Sequence, residues 1–230
     1  MGIGAQRSGT SWWHSLLEAH PGVHALGWPF KELHFFDRFA SDSFTDDDVQ
    51  AYHEYFRAPP GRIAGEWTPR YMYDPTTPPL LHRAAPQARL LVLLRDPVAR
   101  LRSGYAHAVA RGVAPEPAWV DALARGLYAQ QLETVLASYP RAQLLVLQFE
   151  RCVAAPADEL ARTYAFLGLR PFTPRNLARP VNRGGAAPPL PPERDAQIRA
   201  AYAPDVRSLS ASFDDIDLSL WPDTARLLGA

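Results

Sequence analysis

Gly4-Ala5-Gln6-Arg7-Ser8-Gly9-Thr10-Ser11-Trp12 brings two glycines, a guanidinium and three hydroxyls into one short stretch. Apolar residues precede it, and Trp13, Leu16 and Leu17 follow with helical spacing, so it reads as a tight turn between a strand and a helix. Such a turn aims several free backbone N–H groups at one point, and the helix end adds roughly half a positive charge there. It is an anion cradle, and the usual anion is a nucleotide phosphate. The spacing from Gly4 to Gly9 fits the start of the phosphate-binding motif G-x-x-x-x-G-K-[ST]. Thr10, however, stands where that motif needs a lysine for the β- and γ-phosphates, while Ser11 keeps the hydroxyl position. The positive charge sits inside the loop instead, at Arg7, which suits a phosphate without a metal-bound triphosphate. The plain alternative is a glycine turn that only caps a helix.

Two further groups of residues carry candidate chemistry. Lys31-Glu32-Leu33-His34-Phe35-Phe36-Asp37 embeds charges among aromatics. Aromatic rings bury large areas, so Glu32 and His34 are expected to be partly desolvated beside the phosphate turn. Desolvation raises a carboxylate's pKa toward neutrality, which suits a general base. Glu32 taken alone also reads as a carboxylate paired with Lys31, and His34 reads first as a structural histidine bonded to backbone. The second group is Arg95, at the end of the apolar run Leu90–Leu94, with Ser103 two turns into the following helix. In open α/β sheets ligands sit at the carboxyl ends of strands, so an arginine and a hydroxyl there suit a second phosphate. An Arg95–Asp96 ion pair is the competing reading. Tyr71, Tyr73 and Phe35 read either as the lining of an acceptor cleft or as core.

The elements that must position these groups alternate. Helices are expected over 10–18, 80–85, 98–111, 126–138 and 158–167, the last closed by Gly168, with another started by Ser43 or Thr45 and its following aspartates. Strands are expected over 23–28, 63–69, 89–94 and 143–150, the last two apolar enough to be buried on both faces. Residues 170–191 read as a Pro/Arg/Gly-rich loop or lid, followed by a final helix over 192–202 and then 206–209. The pattern implies an α/β fold with three layers, a central, mainly parallel sheet flanked by helices, in one domain over residues 1–230. Zero formal net charge, with 47% hydrophobic and 21% charged residues among 230, argues against nucleic-acid or anionic-membrane partners. One cysteine, Cys152, permits no internal disulfide and no metal cluster. No leader or membrane-spanning run is read, so a cytoplasmic protein is expected, with a first strand that is a stub or continues upstream.

On these residues the chain resembles the sulfotransferases that use 3′-phosphoadenosine-5′-phosphosulfate (PAPS). The likeness is greatest to the branch that includes heparan-sulfate sulfotransferases and many bacterial relatives. Gly4 to Ser11 is similar to that family's 5′-phosphosulfate loop, which implies donor contacts from Gln6, Arg7, Ser8, Gly9, Thr10, Ser11 and Trp12. Leu94-Arg95-Asp96-Pro97-Val98-Ala99-Arg100-Leu101-Arg102-Ser103 is similar to its 3′-phosphate signature, with Arg95 and Ser103 as the ligands. Lys31 to Asp37 resembles the segment whose glutamate is the proposed base, here Glu32, with His34 beside it. The resemblance implies Arg7 as a catalytic charge, and Lys31, Phe35, Tyr71 and Tyr73 at the acceptor. Arg183-Gly184 loosely resembles a loop closing on the 3′-phosphate side. Two departures stand out: Arg7 replaces a loop lysine, and Trp67 takes the place of a lysine that usually follows the glutamate matching Glu66. The implied reaction is transfer of a sulfuryl group from PAPS, without metal, to a hydroxyl or amine of a small-molecule or carbohydrate acceptor. A P-loop kinase or nucleoside triphosphatase, and an inactive nucleotide-binding module, are the alternatives.

Overall fold

The computed structural model describes residues 1–27, 30–39, 44–177 and 190–229. Among them run the strands β1 (Gly2–Gly4), β2 (Val23–His24), β3 (Ile63–Ala64), β4 (Leu90–Leu94) and β5 (Leu144–Gln148). All pairings are parallel: β4 lies between β1 and β5, with Leu90 opposite Leu144 and Leu94 opposite Gln148, and β2 pairs with β3. A bridge between Gly2 and Trp67, three residues past β3, joins the two ladders into the order 2-3-1-4-5. β1 is therefore flanked by the chain that runs on from β3 and by β4. The loops leaving β1 and β4 emerge side by side, where strand order reverses and open sheets bind ligands.

The helices are α1 (Thr10–Glu18), α2 (Asp46–Glu54), α3 (Arg70–Tyr73), α4 (Thr77–Ala84), α5 (Pro97–Ala110), α6 (Pro115–Ala124), α7 (Tyr128–Leu136), α8 (Phe149–Ala154), α9 (Pro156–Leu167), α10 (Asp195–Ser212) and α11 (Pro222–Leu228). Side-chain alternation along the strands decides which helices cover which face. Leu90, Val92, Leu94, Leu144 and Val146 pack with Tyr71, Leu132, Val135 and Leu209 on one side. Leu91, Leu93, Leu145 and Leu147 pack with Trp12, Trp13, Leu16, Leu160 and Tyr164 on the other. Both faces are covered, as the two apolar runs require, and the expected layered α/β architecture is the one found.

Local chemistry sets the element ends. Thr45 and Asp48 form a reciprocal capping box at the start of α2, so the three aspartates serve a helix start. Gly168 ends α9 in the left-handed conformation. Several expectations shift: the strand expected over 63–69 is confined to Ile63–Ala64. The second strand is two residues long. Phe149 to Ala154 coils into α8, because β5 ends at Gln148, whose side chain bonds the Asp217 backbone. α10 runs unbroken through Pro204: the proline and Ala200, four residues earlier, are exposed, while Ile198, Tyr202, Val206 and Leu209 form a buried stripe.

α11 is held by one carboxylate. Asp96 is 2% exposed, and its Oδ1 accepts from the Val98 and Ala99 N–H groups and from Thr224 Oγ1 at 2.9, 3.2 and 2.7 Å. Its Oδ2 accepts from the Asp223 and Thr224 N–H groups at 2.9 and 3.1 Å. Two helix N-termini thus share one anion. Asp96→Ala is expected to cost about 3 kcal/mol, lowering the melting temperature by roughly 6–12 °C in a circular-dichroism melt. Thr224→Val, which removes one of these bonds, should cost about 1 kcal/mol.

Candidate active site

The loop after β1 is shaped by two left-handed residues, Arg7 (φ 68°) and Gly9 (φ 86°). Gly9 admits no other residue: a Cβ there would lie 2.5 Å from the Phe149 ring. Ala5 N–H bonds Leu93 O at 3.0 Å, tying the loop to β4, and α1 begins at Gly9 with no side-chain cap. Among the described residues, no carbonyl or side chain accepts from the N–H groups of Gln6 to Ser11. Consecutive free amides at a turn and a helix start form the concave positive site that binds anions. Ser8, Thr10 and Trp12 are buried around it, Gln6 is exposed and Ser11 half-buried. The Trp12 indole N–H is buried without an acceptor, its ring edge-on to Phe149 at 6.3 Å.

The structure brings this loop and the end of β4 into direct contact. Arg7 Nε donates to Ser103 Oγ at 3.1 Å, and Arg95 Nη1 donates to Arg7 O at 3.4 Å. The two anion pockets expected from the sequence are one continuous surface. Burial makes the Arg7 guanidinium harder to protonate than usual, and the charges of Arg95 and Arg100 add to this. Arg95 also lies over the Phe149 ring at 5.5 Å, and its backbone O accepts from Tyr128 Oη at 3.0 Å. The Arg95–Asp96 ion pair does not form, since Asp96 is spent on backbone N–H groups and Thr224. Among the described residues, no carboxylate lies within 4.0 Å ion-pairing reach of Arg7, Arg95 or Arg100.

Glu32 is more open than expected, with 38% of its side chain exposed, because the aromatics around it turn inward. Buried Lys31 donates from Nζ to Glu32 Oε1 at 2.6 Å, and His34 Nε2 lies 3.4 Å from Oε2. His34 Nδ1 sits 2.9 Å from Asp37 Oδ2, which Arg70 Nε approaches at 3.3 Å. His34 thus faces two carboxylates rather than backbone, and holds φ 50°. Asp37 and Arg70 are partners not expected from the sequence; the spacing of three between His34 and Asp37 was the available signal, and none pointed to Arg70.

The acceptor residues divide. Phe35 and Tyr71 are 5% and 1% exposed and belong to the core with Phe36, Phe39 and Tyr52, so they do not line an open cleft. Their rings answer to packing: Phe35 meets Phe36, Phe39 and Tyr52 at 5.3, 5.7 and 4.9 Å. Tyr73 stays half-buried under the Arg125 guanidinium, 4.2 Å from its ring. Trp67, in the place of the lysine of the resembled branch, is buried against Gly2 with Nε1 donating to Gly4 O at 3.1 Å, so it offers no charge to a ligand. Arg183 and Gly184 lie outside the described residues.

Strand order, a glycine-rich loop after β1 and an arginine–hydroxyl pair after β4 define an α/β protein of the P-loop-like class. The family model described as "Sulfotransferase domain" matches residues 2–182, and the chain belongs to that family. It is 34% identical over 184 residues to heparan sulfate glucosamine 3-O-sulfotransferase 6 of Mus musculus, covering 73% of this chain and 51% of that protein. It is 32% identical over 186 residues to heparan sulfate glucosamine 3-O-sulfotransferase 3B1 of Homo sapiens, covering 73% and 45%. The chain spans about half the length of the curated relatives it matches. Among solved structures, a sulfotransferase from Alicyclobacillus acidocaldarius superposes with a TM-score of 0.75 at 29% identity, covering 96% of both chains.

Arg95→Ala is expected to weaken binding of adenosine 3′,5′-bisphosphate, read by titration calorimetry, by roughly 10- to 100-fold, the worth of a charge-assisted phosphate contact. Unchanged affinity would remove Arg95 from the site.

Proposed function

We propose that this chain transfers a sulfuryl group from PAPS to a hydroxyl of a carbohydrate acceptor, with a small-molecule hydroxyl or an amine as the broader class. The observation that carries the reading is the contact of Arg7, Ser103 and Arg95 beside a row of free loop amides, with no carboxylate among the described residues pairing with the guanidiniums. Those groups fit a doubly phosphorylated nucleotide: the loop amides and Arg7 would hold its 5′ end, and Arg95 and Ser103 its 3′-phosphate. Family membership and the heparan sulfate 3-O-sulfotransferase relatives support the donor and the carbohydrate hydroxyl. A kinase or triphosphatase is disfavoured, since Thr10 occupies the lysine place.

PAPS supplies the transferable sulfuryl group, attached to its 5′-phosphate. In this reading Glu32 takes the proton of the acceptor hydroxyl as that oxygen bonds sulfur and the sulfur–oxygen bond to the phosphate breaks. A positioned base of this kind contributes roughly 10²–10⁴-fold. The charge left on the phosphate is met by Arg7 and the amides of Gly9, Thr10 and Ser11, an electrostatic effect of roughly 3–4 kcal/mol for one preorganised donor. Arg95 and Ser103 grip the remote phosphate, so binding there fixes the geometry at sulfur. Lys31 and His34 bracket Glu32 and limit its rotamers. Tyr73 and Arg125 are the remaining candidates beside an acceptor. The reading extends to one catalytic unit over residues 1–230 and to a cytoplasmic protein of bacterial type, supported by the single, unpaired Cys152 and by the Alicyclobacillus likeness.

Glu32→Gln is expected to lower turnover at least about a hundredfold while bisphosphate affinity stays the same. The assay supplies labelled PAPS with heparan-type oligosaccharides in one arm and hydroxylated small molecules in the other. Transfer at near-normal rate by Glu32→Gln moves the base role elsewhere, and no transfer to any acceptor by the unaltered protein defeats the proposal.

A further inference from the structure

The segment carrying Glu32 belongs to no helix or strand from Lys31 to Phe35, and it includes a left-handed non-glycine residue, His34. A chain of that kind keeps one conformation only when its surroundings over-determine it. Here its backbone groups are bound one after another. Lys31 O accepts from Trp67 N–H at 2.6 Å. Leu33 N–H donates to Glu66 Oε2 at 3.0 Å, His34 N–H to Thr68 Oγ1 at 3.4 Å, and Phe35 N–H to Tyr71 Oη at 2.9 Å.

These acceptors meet at one carboxylate. Thr68 Oγ1 donates to Glu66 Oε2, and Tyr71 Oη donates to Glu66 Oε1 at 3.1 Å, as does Tyr52 Oη at 2.9 Å. Glu66 is 2% exposed, and among the described residues no cation pairs with it. Glu66 and Thr68, two residues apart in extended chain, face the same way, while Trp67 faces the opposite layer. A buried carboxylate with four hydrogen-bond donors and no ion pair within 4.0 Å among the described residues, the buried Met1 ammonium acting on it only from farther away, is a costly arrangement for stability alone. Beside the Tyr52 hydroxyl of the core, its bonds go to the Glu32 segment and to Thr68 and Tyr71, which hold that segment.

We propose that Glu66 is the positioning residue of the transfer reaction: an acceptor-only group beneath the Lys31–Phe35 segment that fixes, through Leu33, Thr68 and Tyr71, where the Glu32 carboxylate stands relative to the Arg7 loop. The proposal rests on the reading of Glu32 as the base. Glutamine is isosteric but turns an NH2 group toward donors that need an acceptor, so Glu66→Gln frees the segment without opening a cavity. Tyr71→Phe keeps the ring and removes only the hydroxyl shared by Phe35 N–H and Glu66.

The test measures kcat and bisphosphate affinity for Glu66→Gln and Tyr71→Phe, each alone and combined with Glu32→Gln. Displacing a catalytic group by about 1 Å costs up to about 100-fold, so each single variant should lose roughly 10- to 100-fold in kcat. Bisphosphate affinity should stay within about twofold, and neither change should lower kcat further in the Glu32→Gln background. General loosening of the fold would weaken nucleotide binding too, and would lower kcat in both backgrounds. Losses that multiply with Glu32→Gln, or full kcat in Tyr71→Phe while Glu32→Gln is impaired, overturn the positioning role. Should Glu66→Gln fail to fold, Tyr71→Phe decides alone. Full turnover by Glu32→Gln itself defeats the base assignment instead, so the two failures are separable.

Discussion

Positive charge that no carboxylate among the described residues pairs with is the constraint that orders this molecule. Arg7 and Arg95 touch through the Arg7 carbonyl, Ser103 joins them, and Arg100 is buried close enough to perturb Arg7. Like charges at such range repel, and partial burial removes the water that would screen them. A fold keeps such an arrangement when an anionic ligand completes it, and the free amides of the β1–α1 turn aim at the same place. The carboxylates nearby are directed elsewhere: Asp96 to two helix N-termini, and Glu150 to the Asp96 N–H and the Trp221 indole at 2.9 and 3.0 Å.

The same economy of acids runs through the rest of the site. Asp96 and Glu150 hold the turn that carries Arg95, so the 3′-phosphate candidate is anchored by α11 and the residues just before it, which lie beyond the residues matched by the family model. Glu66 binds the segment that carries Glu32. Glu32 is the carboxylate left partly in solvent, with Lys31 and His34 at its oxygens. Parallel strands in the order 2-3-1-4-5 bring the turns after β1 and β4 side by side at the carboxyl ends of the strands, which no single local motif could do.

How legible this was depended on whether a residue's role is set by its neighbours in sequence. Gly4 to Ser11 could be read because glycine freedom, a helix start and an internal arginine are local facts. Leu90–Leu94 and Leu144–Gln148 could be read because a parallel strand buried on both faces leaves a continuous apolar run. Arg95 and Ser103 followed from their place after such a strand. The openness of Glu32 could not be read, because aromatic neighbours in sequence do not say which way their rings turn; Phe35 and Tyr71 turned into the core. Glu66 and Thr68 were hidden because a run read as a strand over 63–69 does not say which distant segment its polar side chains meet. α11 was invisible because its reason for existing, Asp96, lies more than a hundred residues away.

The most direct measurement is a crystal structure of the complex with adenosine 3′,5′-bisphosphate. The account predicts the 5′-phosphate among the amides of residues 6–11 and Arg7, the 3′-phosphate on Arg95 and Ser103, and the Glu32 carboxylate facing the open side of the 5′-phosphate, where a sulfuryl group would sit. A nucleotide bound elsewhere, or a Glu32 turned away from that phosphate, would contradict it.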